Sequence, residues 1–357
     1  MCGGNGDMLI RSRRLYFVAV IISIRRCAVR RYPIAGRNGY PMMKRLLFIL
    51  GCLISTTVSA TLNDGIKAFN KQQYDAALAE FRTLATVGNA EARYYLGIMQ
   101  KDGLGMPQDK GRALGWLKKS ARQGHALSNY QVGKMLLDGD GIPQDVPDAI
   151  KWLTTAANAG IEPAQMELAT LYYDGNKTER NLPQALIWFE KAAQQGNPQA
   201  QFQLANSFFK GEGQAQDDQQ AIQWYQKAAD QNHTEAQYTL AYLYMDGTRI
   251  PQNYATAFHW FEKAAHAEHP QAQFMLGYLY DQGTGVTKNA RSAHEWYLKA
   301  AQQGYDEAQL IVGYMYFAGK GTKKNPQLAE EWVQKAVAQG NTKAQKTLDD
   351  IRKAKAQ

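Results

Sequence analysis

Apolar positions recur every 36 residues over most of the chain, and within each recurrence they follow the spacing of an α-helix. Ala164, Leu168 and Leu171, for example, lie four and three residues apart, on one face of a helix that we predict from Pro163 to Tyr173. Tryptophan marks one position of every repeat: Trp116, Trp152, Trp188, Trp224, Trp260, Trp296 and Trp332. These are all seven tryptophans of the chain, so the pattern predicts seven stacked helix pairs.

Small residues form further columns that align with the tryptophans without gaps. One column is always alanine: Ala113, Ala149, Ala185, Ala221, Ala257, Ala293 and Ala329. Another is glycine or alanine: Gly97, Gly133, Ala169, Ala205, Ala241, Gly277 and Gly313. Large and small residues at helical spacing let helices interlock at separations of about 8–10 Å. We therefore expect the tryptophans to belong to the core; stacking on a ligand is the alternative.

The loop in each predicted helix pair contains one residue that ends the first helix and another that begins the second. Glycine stands where the first helix must end: Gly103, Gly139, Gly175, Gly211, Gly247, Gly283 and Gly319. A second glycine follows in five repeats, but Lys177 and Arg249 take its place in the other two, so we expect those two loops to differ in conformation. Asp or Asn then precedes the second helix, where its side chain can cap the helix: Asp109, Asp145, Asn181, Asp217, Asn253, Asn289 and Asn325. Residues 138–141 also look like part of a calcium loop, but the ligand spacing and the closing glutamate are missing.

Together these columns resemble Sel1-like repeats, which are related to tetratricopeptide repeats. The resemblance rests on stretches such as AQFMLGYLYDQGTGVTKNARSAHEWYLKAAQQG (272–304) and AQLIVGYMYFAGKGTKKNPQLAEEWVQKAVAQG (308–340). It implies an all-α fold, a right-handed α-solenoid of seven 36-residue helix-turn-helix repeats at residues 90–341. Residues 61–89 would form an N-terminal cap similar to a tetratricopeptide unit, with two short helices broken near residues 71–73. Residues 342–357 would form one charged C-terminal capping helix.

The first 60 residues carry the excess of positive charge. They contain ten Lys or Arg and one Asp, out of 41 basic and 32 acidic residues, so the rest of the chain is formally neutral and a nucleic-acid-binding role loses its support. The basic start at residues 43–45, the apolar stretch at 46–54 and the small residues at 58–60 predict a signal peptide at 43–60, cleaved after Ala60. The protein would then be periplasmic or secreted. We interpret residues 1–42 as an over-extended reading frame or a disordered segment; a genuine N-terminal extension is the alternative.

All three cysteines lie in this leader, at Cys2, Cys27 and Cys52. The predicted mature chain therefore has no disulfide, no cysteine nucleophile and no cysteine metal site. A lipid anchor on Cys52 is an alternative to cleavage after Ala60. The apolar stretch of the leader is too short to span a membrane as a helix, which takes about 20 residues, so we expect no membrane span in the mature chain.

No catalytic motif was found in the sequence, and we predict no enzyme activity, no cofactor and no metal site. We expect the six histidines to lie on the surface: His125, His233 and His269 in turns, His259 and His266 beside His269 in the one local cluster, and His294. Some cysteine-rich Sel1-like proteins are described as penicillin-binding or β-lactamase-like. This chain lacks their paired cysteines and a serine followed three residues later by lysine in the setting that such enzymes use. That activity and the binding of peptidoglycan or another glycan remain as alternatives.

The candidate binding residues lie on the first helix of each pair, in columns whose contents vary. In the related folds the first helices line the concave side, so the resemblance implies that these columns face a groove. They are mostly polar in the first four repeats, Tyr95/Ile98, Gln131/Lys134, Glu167/Thr170 and Gln203/Asn206, and aromatic in the last three, Thr239/Tyr242, Met275/Tyr278 and Ile311/Tyr314. We predict that Tyr242, Tyr278 and Tyr314, with Met275 and Ile311, contact a protein or peptide partner, because aromatic residues are enriched at protein interfaces. Packing of the tyrosines between neighbouring helices is the alternative.

The resemblance also implies a function. Sel1-like proteins commonly act as adaptors, so we expect a non-catalytic scaffold of the bacterial cell envelope that binds its partner along the groove and is itself a monomer.

Overall fold

Short α-helices, most of them 13 residues long, make up the described part of this computed structural model. The structure describes residues 62–139 and 141–356, and it contains no β-strand within those ranges. Among these residues, no helix combines the length and the apolar character needed to cross a membrane. The all-α fold class is therefore confirmed, whereas the predicted signal peptide and the segment before it lie outside the described residues.

The helices form consecutive pairs. The first pair is α1, which covers residues 62–70, and α2 (Tyr74–Thr86). Seven further pairs follow, each with a helix A and a helix B, and we number them repeats 1 to 7: α3 (Ala90–Asp102) and α4 (Lys110–Ala121), α5 (Ala126–Asp138) and α6 (Val146–Asn158), α7 (Glu162–Asp174) and α8 (Leu182–Gln194), α9 (Pro198–Lys210) and α10 (Asp218–Asp230), α11 (Thr234–Asp246) and α12 (Tyr254–His266), α13 (Pro270–Gln282) and α14 (Ala290–Gln302), α15 (Asp306–Ala318) and α16 (Pro326–Ala338). A last helix, α17 (Ala344–Ala356), follows repeat 7. From α2 onward each helix packs against the helices before and after it, so the repeats stack in chain order.

The predicted loop signals fix where the helices end and begin. All seven loop glycines adopt the left-handed conformation at the end of helix A; Gly103, for example, has φ 72°. The Asp or Asn six residues after each loop glycine caps helix B in every repeat, as Asp109 does by accepting a hydrogen bond of 2.9 Å from the Arg112 amide. Each such cap contributes about 1 kcal/mol. Both predictions are confirmed.

Some boundaries differ from the predictions by one or two residues. Helix α7 extends one residue beyond the predicted Pro163–Tyr173 at each end. The break after α1 falls at residues 71–73 as predicted, with Gln72 at φ 59°. The last helix begins at Ala344 instead of residue 342, because the Asn341 side chain accepts the Lys343 amide and holds the preceding residues in a turn.

The core lies between the two helices of each pair and between successive pairs. The alanine column on helix B is fully buried in every repeat, and so is the residue that follows each tryptophan: Leu117, Leu153, Phe189, Tyr225, Phe261, Tyr297 and Val333. These larger side chains pack against the small column on helix A. A Cβ on Gly277 would lie 2.9 Å from the Tyr297 ring, so glycine is required for this close approach.

The tryptophans themselves are less buried than predicted. Trp188 and Trp260 are buried, but the other five are only half-buried. In six repeats a lysine three residues later covers the ring; the Lys227 ammonium, for example, lies 3.7 Å from the Trp224 ring centre. The prediction that all seven tryptophans are buried in the core is therefore wrong for five of them. The interior position is one residue later, about 100° further round the helix.

Candidate partner-binding surface

The candidate surface is the helix-A stripe, which we define as the two columns Tyr95/Ile98, Gln131/Lys134, Glu167/Thr170, Gln203/Asn206, Thr239/Tyr242, Met275/Tyr278 and Ile311/Tyr314. Every one of these side chains is half-buried or exposed. The packing that buries Ala164, Leu168 and Leu171 on the adjacent face of α7 leaves the stripe residues Glu167 and Thr170 at the surface. The stripe is therefore available along the array.

In the early repeats the stripe is held by polar contacts between neighbouring A helices. The Lys134 ammonium lies 3.2 Å from the Asp138 carboxylate and 3.8 Å from Glu167 in the next repeat. Partial burial alone would lower the pKa of Lys134, but the hydrogen bond to Asp138 and the charge of Glu167 outweigh it and raise that pKa. Lys101 donates in the same way to Gln131 of the following repeat at 3.4 Å. These side chains already have partners within the protein.

The three predicted tyrosines lie at one position of three successive A helices and are the most exposed part of the stripe. Tyr242, Tyr278 and Tyr314 are 48%, 42% and 54% exposed. Met275 and Ile311 are half-buried one turn before Tyr278 and Tyr314. About half of each tyrosine side chain thus packs on the protein, and the other half faces solvent. Within the described chain their hydroxyl groups make no hydrogen bond.

The two loops without a second glycine differ from the other five, as predicted. The second glycines, Gly105, Gly141, Gly213, Gly285 and Gly321, all have positive φ, whereas Lys177 and Arg249 do not. Both side chains reach back by one repeat. The Lys177 ammonium donates to the Leu137 carbonyl at 3.1 Å, and the Arg249 guanidinium donates to the Phe209 carbonyl at 2.9 Å while pairing with Asp218.

A row of buried glutamines, which the sequence analysis missed, links successive repeats. Its members occupy one position of helix A in repeats 3 to 7: Gln165, Gln201, Gln237, Gln273 and Gln309, each no more than 4% exposed. Each side-chain amide donates to a carbonyl at the end of the preceding helix B. Four of the five also accept a hydrogen bond from a glutamine at the end of their own repeat's helix B, for example Gln231 to Gln201 at 2.8 Å. Gln237 lacks this second bond because Ala267 occupies the donor position.

The histidines do not form a site. His125, His233 and His269 each cap a helix A, because Nδ1 accepts a backbone amide three residues later, and each ring packs on an aromatic ring. Burial lowers the pKa of His125 and His233. His259 and His266 contact different tryptophans, so the side chains of the local histidine cluster do not meet at one site. The described residues contain no group of three side chains placed to hold a metal ion.

The expectation that all histidines lie on the surface is wrong for two of them. His269 is 9% exposed and lies 3.3 Å from the Glu235 carboxylate, and His294 is 7% exposed and packs edge-on against Tyr316. Burial lowers the pKa of His294.

The stacked helix pairs, with one variable and accessible stripe, define a helical-repeat protein. The sequence profile of the Sel1 repeat matches residues 90–125, 126–161, 162–197, 198–233, 234–269, 270–305 and 306–341, and the chain therefore belongs to the Sel1 repeat family. Proteins of this family are generally protein-interaction scaffolds, and the scaffold fold is generally non-catalytic.

Two solved structures with the same fold are similar over most of their length. A Sel1 repeat protein from Oxalobacter formigenes is 28% identical, with a TM-score of 0.65, and the match covers 90% of this chain and 98% of that one. The protein c5321, a protective antigen present in uropathogenic Escherichia coli strains, is 27% identical with a TM-score of 0.54, and the match covers 83% of this chain and 72% of that one. No curated protein matches the sequence significantly.

Proposed function

We propose that this protein is a non-catalytic scaffold of the bacterial cell envelope that binds a protein or peptide partner along the helix-A stripe. One observation carries the proposal. The described chain exposes seven large apolar or aromatic side chains, and three of them, Tyr242, Tyr278 and Tyr314, share one position of consecutive repeats. Scattered exposed apolar residues need no explanation, but exposed aromatic residues repeated at one position of successive repeats favour an interaction site.

The chemistry of the row fits a protein partner. A tyrosine offers a large apolar ring with few rotatable bonds to immobilise, and a hydroxyl that can donate to or accept from a backbone group. Since these hydroxyls have no partner within the described residues, they are free to bond to an incoming chain. In the early part of the stripe Lys134 and Glu167 already form an ion pair with each other. That part would therefore help to orient the partner more than it would add to the binding affinity.

The test is affinity capture from an envelope extract. The bait is the full-length chain with a C-terminal tag, recovered from the bacterium that expresses it, beside a variant in which Tyr242, Tyr278 and Tyr314 are all changed to alanine. A matched control is Tyr254→Ala, which removes a tyrosine of similar exposure, 40%, from the start of α12, outside the stripe. We expect the control to capture the same protein as the wild type and the triple variant to lose it.

Circular dichroism on the three baits separates binding from folding. Because the tyrosines are half exposed, the triple variant should keep its helicity. A triple variant that melts would show that the ring faces are packing residues, and unchanged capture by a folded triple variant would place the binding site elsewhere.

The proposed envelope location follows from the predicted leader at residues 43–60. The similar protein c5321 is a protective antigen present in uropathogenic Escherichia coli strains, and an antigen accessible to the host would be consistent with this location. Mass spectrometry of the exported chain tests this. A mature N-terminus at Thr61 is expected, whereas a lipid on Cys52 would identify a lipoprotein.

The absence of catalysis is also part of the proposal. Purified protein should not hydrolyse the chromogenic β-lactam nitrocefin. Turnover that co-purifies with the folded chain would instead favour the β-lactamase-like alternative.

A further inference from the structure

Two clefts open on the helix-A stripe, in the two repeats that lack the second loop glycine. The repeat-3 cleft, about 260 Å³, is bordered by Leu171, Asp174 and Lys177. The repeat-5 cleft, about 330 Å³, is bordered by Leu243, Asp246 and Arg249. Each residue of the second set lies 72 residues after its counterpart in the first, so the clefts are equivalent features two repeats apart.

Both clefts have apolar walls. In the repeat-3 cleft Leu137 and Met166 line the wall, and Phe209 and Tyr238 take the corresponding places in the repeat-5 cleft. Tyr242 stands where the repeat-3 cleft has Thr170. The exposed Tyr242 of the proposed partner-binding row is therefore also a wall of the second cleft. The stem of a long side chain could pack along these walls.

Each cleft also presents one carboxylate without a cationic partner. Lys177 pairs with Asp138 at 3.9 Å, and Arg249 pairs with Asp218, so both basic residues are neutralised by the preceding repeat. Asp174 makes no hydrogen bond or ion pair within the described residues. Asp246 accepts hydrogen bonds only from Thr248. The charge left in each cleft is negative.

Two arginines of the protein itself lie over aromatic rings, one of which lines the repeat-5 cleft. The Arg249 guanidinium carbon lies 3.7 Å from the centre of the Phe209 ring, and that of Arg180 lies 5.6 Å from the Tyr173 ring. A planar guanidinium stacks on aromatic faces and binds a carboxylate with two parallel hydrogen bonds, which an ammonium cannot do.

We propose that each cleft receives an arginine side chain of the partner, and that the partner therefore carries two arginines in one extended segment. The apolar stem would lie along the cleft walls, and the guanidinium would pair with Asp174 in repeat 3 and with Asp246 in repeat 5. This inference rests on the proposed function, because it specifies the chemistry of the partner that binds the stripe.

The experiment uses full-length tagged protein and fluorescein-labelled peptides of glycine and serine that contain two arginines separated by four to eight residues. Binding is followed by fluorescence anisotropy at low ionic strength. The matched probe replaces both arginines with citrulline, which keeps the shape and removes the charge. We expect the best arginine peptide to bind about tenfold more tightly than its citrulline counterpart, since each exposed ion pair contributes on the order of threefold to fivefold.

Protein variants locate the contacts. Asp174→Asn and Asp246→Asn should each weaken the binding of the arginine peptide by about threefold to fivefold and leave the binding of the citrulline peptide unchanged. The matched control is Asp102→Asn, at the same helix position in repeat 1, where Gly105 is present and the aspartate lies 3.6 Å from Lys101. It should bind like the wild type. Equal binding of the two peptides, or equal losses in all three variants, would overturn the proposal.

The outcome can be separated from that of the proposed function. If the Asp174→Asn/Asp246→Asn double variant captures the same envelope protein with undiminished affinity while the triple tyrosine variant does not, the scaffold function stands and the arginine clefts are refuted. If the arginine peptide binds in an aspartate-dependent way but no protein is captured from the envelope, the clefts stand and the envelope partner is refuted.

Discussion

The buried glutamine row allows a stability prediction with an internal control. Gln201 makes two hydrogen bonds, donating to the Ala193 carbonyl at 3.1 Å and accepting from Gln231 at 2.8 Å. Gln237 occupies the same position one repeat later and makes only the first kind, to the Ala229 carbonyl at 3.0 Å. The two side chains are equally buried, at 4% and 2% exposure.

Changing each glutamine to methionine should therefore have unequal effects. A buried hydrogen bond contributes about 1 kcal/mol net, so Gln201→Met should lower the free energy of unfolding by about 2 kcal/mol and Gln237→Met by about 1 kcal/mol. The substitution is identical in both places, so the change in apolar transfer free energy and in side-chain shape cancels in the difference. What remains is the bond from Gln231.

Urea denaturation followed by circular dichroism and by tryptophan fluorescence measures both losses. The comparison is valid only if the two probes give the same unfolding transition and the dependence of the free energy on urea concentration is the same in all variants, because long repeat arrays can unfold in parts. The substitution Ala267→Gln would supply the missing donor to Gln237. In that background Gln237→Met should lower the free energy of unfolding by about 2 kcal/mol, because Gln237 would then make two hydrogen bonds. Equal losses at Gln201 and Gln237 in the unmodified background would refute the assigned role of the second bond.

Two further predictions concern packing and pH. Gly277→Ala should lower the free energy of unfolding by about 1–3 kcal/mol, because the new methyl group would meet the Tyr297 ring. Gly115→Ala should raise it by up to about 1 kcal/mol, because a Cβ there meets nothing within 4 Å and alanine favours the helix. Thermal melts of both variants check this. Burial lowers the pKa of His233, so the neutral cap is fully present above the unfolded pKa of about 6.5, and the stability that it contributes is lost as the pH falls through and below that value. His233→Asn, which keeps a capping acceptor as Asn197 does one repeat earlier, should reduce the fall in melting temperature between pH 7.5 and pH 5; an unchanged fall would contradict the capping role.

The sequence predicts the architecture well because its signals are local. Glycine at a helix end and Asp or Asn at a helix start act within a few residues, so Gly103 and Asp109 could be assigned without any knowledge of the neighbours. The different loops at Lys177 and Arg249 were also predictable, because a residue other than glycine disfavours the positive φ that the other loops use. What the sequence could not give was where those two side chains go.

The interior positions were harder to predict. Tryptophan is the most regular residue, but regularity does not say which side of the helix faces inward. The residue after it, such as Leu117 or Tyr225, changes identity from repeat to repeat and is nevertheless fully buried. The glutamine row was regular in the sequence too, yet polar, and a search for apolar columns passes over it. Its role depends on carbonyl groups about eight residues earlier and on a side chain 30 residues later, which only the structure brings together.

The burial of Trp188 and Trp260, but not of the tryptophans between and after them, has a consequence for how such a chain can grow. In repeats 3 and 5 a buried tryptophan is followed by phenylalanine, and in repeats 4 and 6 a half-buried one is followed by tyrosine. The structural module in the middle of the array is thus a pair of unlike repeats, 72 residues long. Duplicating one such pair would keep the alternation of the two kinds of repeat. Removing a single repeat would bring two units of the same kind together, so lengths that differ by an even number of repeats should be the ones that fold without new core mutations.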